Sequence, residues 1–256
     1  MIHMSSSSDL TPILKDWQWQ SGVFGVRTLS GHDGRLLLQV RLELGIIQME
    51  ADGRPDGNAS GGFGSVLDRV RSQLEGTAVI AALGGACVDP DDASDLVGEL
   101  LLFRQRAMAC AVLELWPRVR RDALHNISIL ELLCARGGDN AERARYESWR
   151  ANEIKMQTRA EVAVAMLSGR KSEAGTAIDH GLDALKKSFA RAGAPQEFEQ
   201  SIEAQYLRGL RESLTLKLPS SQRIEIERRM LAAIRGENFE LAAILRDELR
   251  QMGPAL

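Results

Sequence analysis

The chain has 256 residues, 44% hydrophobic and 26% charged. That is close to the average for globular proteins and enough to bury a core in one or two domains, which excludes disordered and fibrous classes. Lys+Arg 32 against Asp+Glu 35 gives a formal charge of -3, so no global excess of positive charge is available to hold a phosphate backbone.

Residues 1–15, with the Ser5 to Ser8 run, read as a flexible N-terminus. No basic stretch leads there into an apolar one, so no signal peptide is expected. No segment approaches the roughly 18 uninterrupted apolar residues of a membrane span. Cys87, Cys110 and Cys134 are odd in number, widely spaced and set in apolar runs. They offer neither a disulfide framework nor a CxxC metal site, and the expectation is a reducing cytoplasm.

Leu36, Leu38, Val40, Leu42 and Leu44 alternate with Gln39, Arg41 and Glu43, which predicts a half-buried strand. A second candidate strand, Trp17 to Leu29, joins it through Ser30-Gly31-His32-Asp33-Gly34, a loop whose glycines permit the positive φ of a hairpin turn. At Gly45 the apolar face moves to Ile47 and Met49, as a bulge or bend would produce. An isolated hairpin is marginal in water, so its apolar face is expected to rest on the helices that follow.

Asp52-Gly53-Arg54-Pro55-Asp56-Gly57, continuing through Gly61, Gly62 and Gly64, is dense in turn residues and reads as a loop. It lacks the Gly-Lys-Ser/Thr ending or GxGxxG pattern of a phosphate-binding loop. Broad apolar stripes of helical period then occupy about 64–76, 91–116, 118–135, 141–168, 171–191 and 195–216. Asp89-Pro90-Asp91 makes a good helix start, Pro117 marks a kink or a new helix, and Gly137-Gly138-Asp139 and Gly193-Ala194-Pro195 separate later ones.

The histidines His3, His32, His125 and His180 lack the spacing of metal ligands, and no nucleophile has a visible base. No cofactor, metal or catalytic residue is expected, and the chain reads as a non-enzyme. Arg104 and Arg106 lie in an otherwise apolar helix. Each either extends to solvent, pairs with a carboxylate such as Glu99, or lines an anion pocket. Around His125 a polar cluster is weighed against a plain solvated helix surface, and the surface is favoured.

Leu218-Pro219-Ser220-Ser221 is the last punctuation. It suggests a β-hairpin-plus-bundle domain at 16–218 and a separate hairpin at 219–256. Ile226, Met230 and Ala233 recur at helical spacing, Gly236-Glu237-Asn238 breaks the pattern, and Phe239, Ala242, Leu245, Leu249 and Met252 form a second stripe. The predicted fold is therefore α+β, mostly α: a long N-terminal β-hairpin packed on a helical bundle, then an antiparallel helical hairpin.

Ile226-Glu227, Met230, Ala233, Asn238-Phe239-Glu240, Ala242-Ala243 and Leu245-Arg246-Asp247 resemble the UVR motif, named for the excision-repair proteins UvrB and UvrC and found also in McsA and some Clp chaperone ATPases. The resemblance covers about one ninth of the chain, and the region before it is more loosely similar to bacterial proteins of unknown function. It implies a protein-interaction element, with a partner of excision-repair (DNA-repair) or protein-quality-control type, UvrB/UvrC-like or chaperone-like, or a second copy. Contact residues are then expected among Ile226, Met230, Phe239, Glu240, Ala243, Leu245, Arg246, Asp247 and Leu249.

The competing expectation is a small-ligand protein or enzyme with a pocket between the β-hairpin and the helices, lined by Arg41, Glu50, Arg54 and Arg104. DNA binding through Arg118, Arg120, Arg121, Arg143, Arg145 and Arg150 comes last, because Asp122, Glu142 and Glu147 dilute that patch.

Overall fold

A computed structural model describes residues 10–76, 87–136 and 139–215, together with 226, 228–231, 233, 234, 241, 245, 246 and 249. The chain divides into two compact units, Met1–Leu207 and Arg208–Leu256. Residues 218–221, read as a boundary, and Gly137 and Gly138, read as a helix end, lie outside the described residues.

The first unit opens with a short helix α1 (Thr11–Asp16) and a three-stranded antiparallel sheet, β1 (Val26–Ser30), β2 (Leu36–Leu42) and β3 (Gly45–Glu50), in the order β1-β2-β3. β1 and β2 pair as expected, with Ser30 opposite Leu36 and Val26 opposite Val40, and Gly34 at φ 79° supplies the positive φ of the turn. The irregularity at Gly45 is a second reversal, because Leu42 pairs with Gly45 and Leu37 with Glu50. The turn residue Leu44 is 92% exposed, so its place in the apolar alternation carries no burial. The first strand is also shorter than its expected span, beginning at Val26.

Helices α2 (Val66–Gly76), α3 (Pro90–Val112), α4 (Trp116–Arg136), α5 (Asn140–Leu167), α6 (Lys171–Arg191) and α7 (Ile202–Thr215) follow, with a 3-10 turn at Pro195–Gln200. Asp89 and Asp139 cap α3 and α5 by accepting the Asp91 and Glu142 amides at 2.9 Å each. Pro117 sits in the first turn of α4, where its missing N–H costs no ladder bond; it begins a new helix.

Two apolar clusters hold this unit. Leu38, Val40, Met49, Ala109, Cys110, Trp116, Val119 and Ala160 join the sheet to the end of α3, the start of α4 and the end of α5. Val66, Leu67, Val70, Leu96, Leu100, Ile129, Leu130, Leu133 and Tyr146 join α2 to the other ends of those helices. The expected fold class is thus observed: a small antiparallel sheet on a helical bundle. No helix among the described residues is long and apolar enough to cross a membrane.

Candidate functional site

Arg106 and Asp122, both fully buried, face each other from α3 and α4 in a two-pronged ion pair, Nε to Oδ2 and Nη2 to Oδ1 at 2.8 Å each. The remaining guanidinium nitrogen donates to the carbonyls of Glu50 and Gly53 at 3.0 and 2.7 Å. Arg121 donates to Asp122, to Asp52 and to the Ala51 carbonyl, and Arg118 reaches Asp52 at 3.0 Å. Hydrogen bonds from Arg118 lead in holding the Asp52 carboxyl below the usual range; burial opposes them and Arg121 adds to them. The turn-rich loop after β3 is therefore a structural clamp in which three arginines satisfy its backbone and its acid.

Arg54 of that loop pairs with Asp56 at 2.9 Å and with Glu99 at 3.2 Å. Glu99 is fully buried and accepts from the Val66 and Leu67 amides at 2.7 and 3.2 Å and from His125 Nε2 at 2.9 Å. A carboxylate on α3 thus caps the N-terminus of α2, where exposed amides and the helix dipole favour negative charge. His125 also stacks on Phe103 with ring centroids 3.9 Å apart, so it belongs to a half-buried polar cluster.

Burial opposes ionisation of Glu99, but the bonds from His125, Val66 and Leu67 outweigh it and hold the carboxyl below the ordinary glutamate value. Because the folded-state pKa is depressed, this group's stabilisation is complete above the unfolded pKa and is lost as pH falls through the folded one. Glu99→Gln is expected to cost about 1–3 kcal/mol at pH 7. The gap to the wild type should narrow toward pH 3 in thermal melts; a gap independent of pH would contradict the capping role.

The four residues expected around a ligand pocket have separate engagements. Arg41 is buried and donates to the Trp17 carbonyl at 2.6 Å and to those of Leu42, Glu43 and Gly45 around the second turn. Glu50 pairs with Arg35 at 2.8 Å. Arg104 pairs with Glu153 on α5 at 2.7 Å and lies over the Trp149 ring. Arg54 is tied to Glu99, and none of the four lines either of two adjoining depressions of about 390 and 440 Å3. These depressions lie over α5 between α4 and α6, where Glu131, Arg150 and Arg191 are common to both. Among the described residues no three His, Cys, Asp or Glu side chains gather as a metal site.

Cys87 is exposed, whereas burial foremost, with the charges of Asp122 and Glu147 next, pushes Cys110 and Cys134 up to about 11. With a thiol reagent at pH 8, Cys87 should react first and the other two more than about tenfold more slowly. Three equally fast thiols would show that the α3–α4 layer opens readily.

In the second unit the described residues of the tail are helical. Ile226, Ala233 and Leu245 are buried, Met230 and Leu249 half-buried, and Arg246 exposed. Leu231 and Ile234 are half exposed, an outward apolar pair that the stripe reading passed over. Phe239, Glu240, Ala243 and Asp247 lie outside the described residues. No curated protein and no solved structure matches the chain. One family does: residues 221–253 match the family model described as the UvrB/uvrC motif.

Proposed function

We propose that the protein is a non-catalytic cytoplasmic adaptor that engages a partner protein of excision-repair or protein-quality-control type through its C-terminal hairpin. The match of residues 221–253 to the UvrB/uvrC motif carries this reading. Physical size supports it, since two short helices cannot enclose a core and some apolar surface is left for another surface to cover. Leu231 at 50% exposed and Ile234 at 45% exposed are such surface. In the first unit Arg106 is spent on Asp122 and Glu99 on capping α2.

Phe239 acts as the anchor in this reading, with Leu245 among the contact residues and Arg246 and Asp247 forming charge-assisted bonds within the hairpin or across the interface. Affinity capture with the full chain, a chain ending at Leu218 and the Phe239→Ala variant, read by mass spectrometry, tests it. A partner lost from both altered chains is the expected result. Identical partner lists from all three would overturn the reading.

A further inference from the structure

The two adjoining depressions form one groove floored by a single face of α5, on which Arg143, Glu147, Arg150, Ile154 and Gln157 recur every three or four residues over about 21 Å. Its two ends differ. Arg143, Arg150 and Arg191 line the end of about 440 Å3 with Glu131 and Glu147, whereas Ile127, Ile154 and Ala184 line the end of about 390 Å3. At the charged end the hydrogen bonds leave donors over. Glu147 is buried and gives one oxygen to Arg150 and Arg191, at 3.4 and 2.8 Å, and the other to the Ser188 hydroxyl at 2.7 Å. Glu131 takes the other terminal nitrogen of Arg150. Arg143 makes no ion pair among the described residues, and Arg191 uses only its Nε, so one whole guanidinium fork and two terminal nitrogens are left for a further acceptor. Apart from His180 at the apolar end, the groove sets Arg143, Arg150, Lys187 and Arg191 against Glu131, Glu147 and Asp183, a surplus of one positive charge.

We propose that this groove binds a small organic acid of one negative charge, its carboxylate held by Arg143 and Arg191 and its apolar chain lying toward Ile127, Ile154 and Ala184. A guanidinium fork meets a carboxylate in two parallel charge-assisted hydrogen bonds, which is the acceptor geometry these donors lack inside the chain. The charge surplus decides between anions, because one carboxylate cancels it and a dianion of phosphate type would overshoot. Glu147 and Ile154 stand about 10 Å apart along α5, a span that an aliphatic chain of medium length covers. Depressions of this volume are of the size that takes such a ligand, with a few polar groups fixing one end and apolar side chains receiving the rest.

Octanoate is the probe, titrated into the full chain beside acetate and octylammonium and followed by the backbone amide shifts in NMR spectra. It should move amides of residues 143–157 and 180–191 saturably and bind at least about tenfold more tightly than acetate, a factor that burying two of its extra methylenes supplies. Octylammonium, with the same tail and the opposite charge, should not bind. Arg143→Gln should weaken octanoate at least about fivefold. Arg145→Gln removes the same charge from another face of α5, where Arg145 pairs with Glu142, and should leave octanoate binding unchanged. Ala184→Gln narrows the apolar end and should weaken octanoate more than acetate. Arg143 is exposed and Ala184 half-buried, so thermal melts of both variants should match the wild type. Phe239→Ala should bind octanoate as the wild type does, which separates this site from the C-terminal hairpin. No saturable shift with octanoate, octylammonium binding as tightly as octanoate, or octanoate binding untouched by Arg143→Gln would each overturn the proposal.

Discussion

Asp122→Ala is expected to lower the stability of the first unit by about 3–5 kcal/mol, a fall of roughly 6–20 °C in the thermal midpoint. Arg106 and Asp122 are both inaccessible to water, so truncating the acid leaves a guanidinium buried with two carbonyls and no counter-charge. Arg121, which also donates to Asp122 at 3.0 Å, loses a partner in the same step. Arg106→Met is expected to be milder, because Arg121 still neutralises Asp122, but it strands the Glu50 and Gly53 carbonyls that Arg106 serves. Replacing both residues, as Arg106→Met with Asp122→Leu, should recover a large part of the loss, since a buried ion pair is often no better than apolar residues of similar volume. Chemical denaturation of the two single variants and the double variant measures this. Single variants within 1 kcal/mol of the wild type would mean that water reaches the pair.

What the sequence disclosed follows the range over which each interaction acts. Helix positions were legible because the 3.6-residue period and punctuation such as Asp89-Pro90 and Gly193-Ala194-Pro195 are local, and α3 to α6 begin and end within four residues of their expected spans. Helix α7, by contrast, begins at Ile202, seven residues after its expected start, behind the 3-10 turn at Pro195–Gln200. The β2–β3 reversal was not legible. Leu42 and Leu44 stay in phase, and Glu43-Leu44 lacks the Asn-Gly or Asp-Gly signal of a tight turn, so the apolar alternation continues through a corner where Leu44 points to solvent. An arginine amid Leu and Ala demands a carboxylate, and that demand was readable at Arg106. Its partner was not Glu99 but Asp122, one helix further on, because the crossing of α3 and α4 decides which acid is in reach. Glu99 instead serves the start of α2, and no local pattern announces a cap supplied from more than thirty residues away. In the tail the motif residues were readable, but spacing alone did not separate the buried Ile226 and Leu245 from the outward Leu231 and Ile234.

Gly181→Ala should destabilise the α5–α6 pair by about 1–3 kcal/mol even though alanine is the better helix former by about 1 kcal/mol. A Cβ at this position would lie 2.3 Å from Thr158 Oγ1, 2.8 Å from its Cγ2 and 3.0 Å from its Cβ. Thr158 cannot readily swing aside: it is β-branched in the middle of α5, and its hydroxyl donates to the Ile154 carbonyl at 2.9 Å. The helices must therefore separate, and the contacts that close packing supplies are lost along both. Thr158→Ala combined with Gly181→Ala should restore most of the stability but not all, because the 3.0 Å approach of the two Cβ positions remains tight. Gly175→Ala is the internal control on the same helix. Its Cβ would meet nothing within 4 Å, so only the propensity gain remains and the variant should be more stable than the wild type by up to about 1 kcal/mol. Opposite signs for the two glycines of α6 in thermal melts are the signature of a close helix crossing at Gly181; equal gains at both would show that α5 and α6 stand farther apart than Thr158 requires.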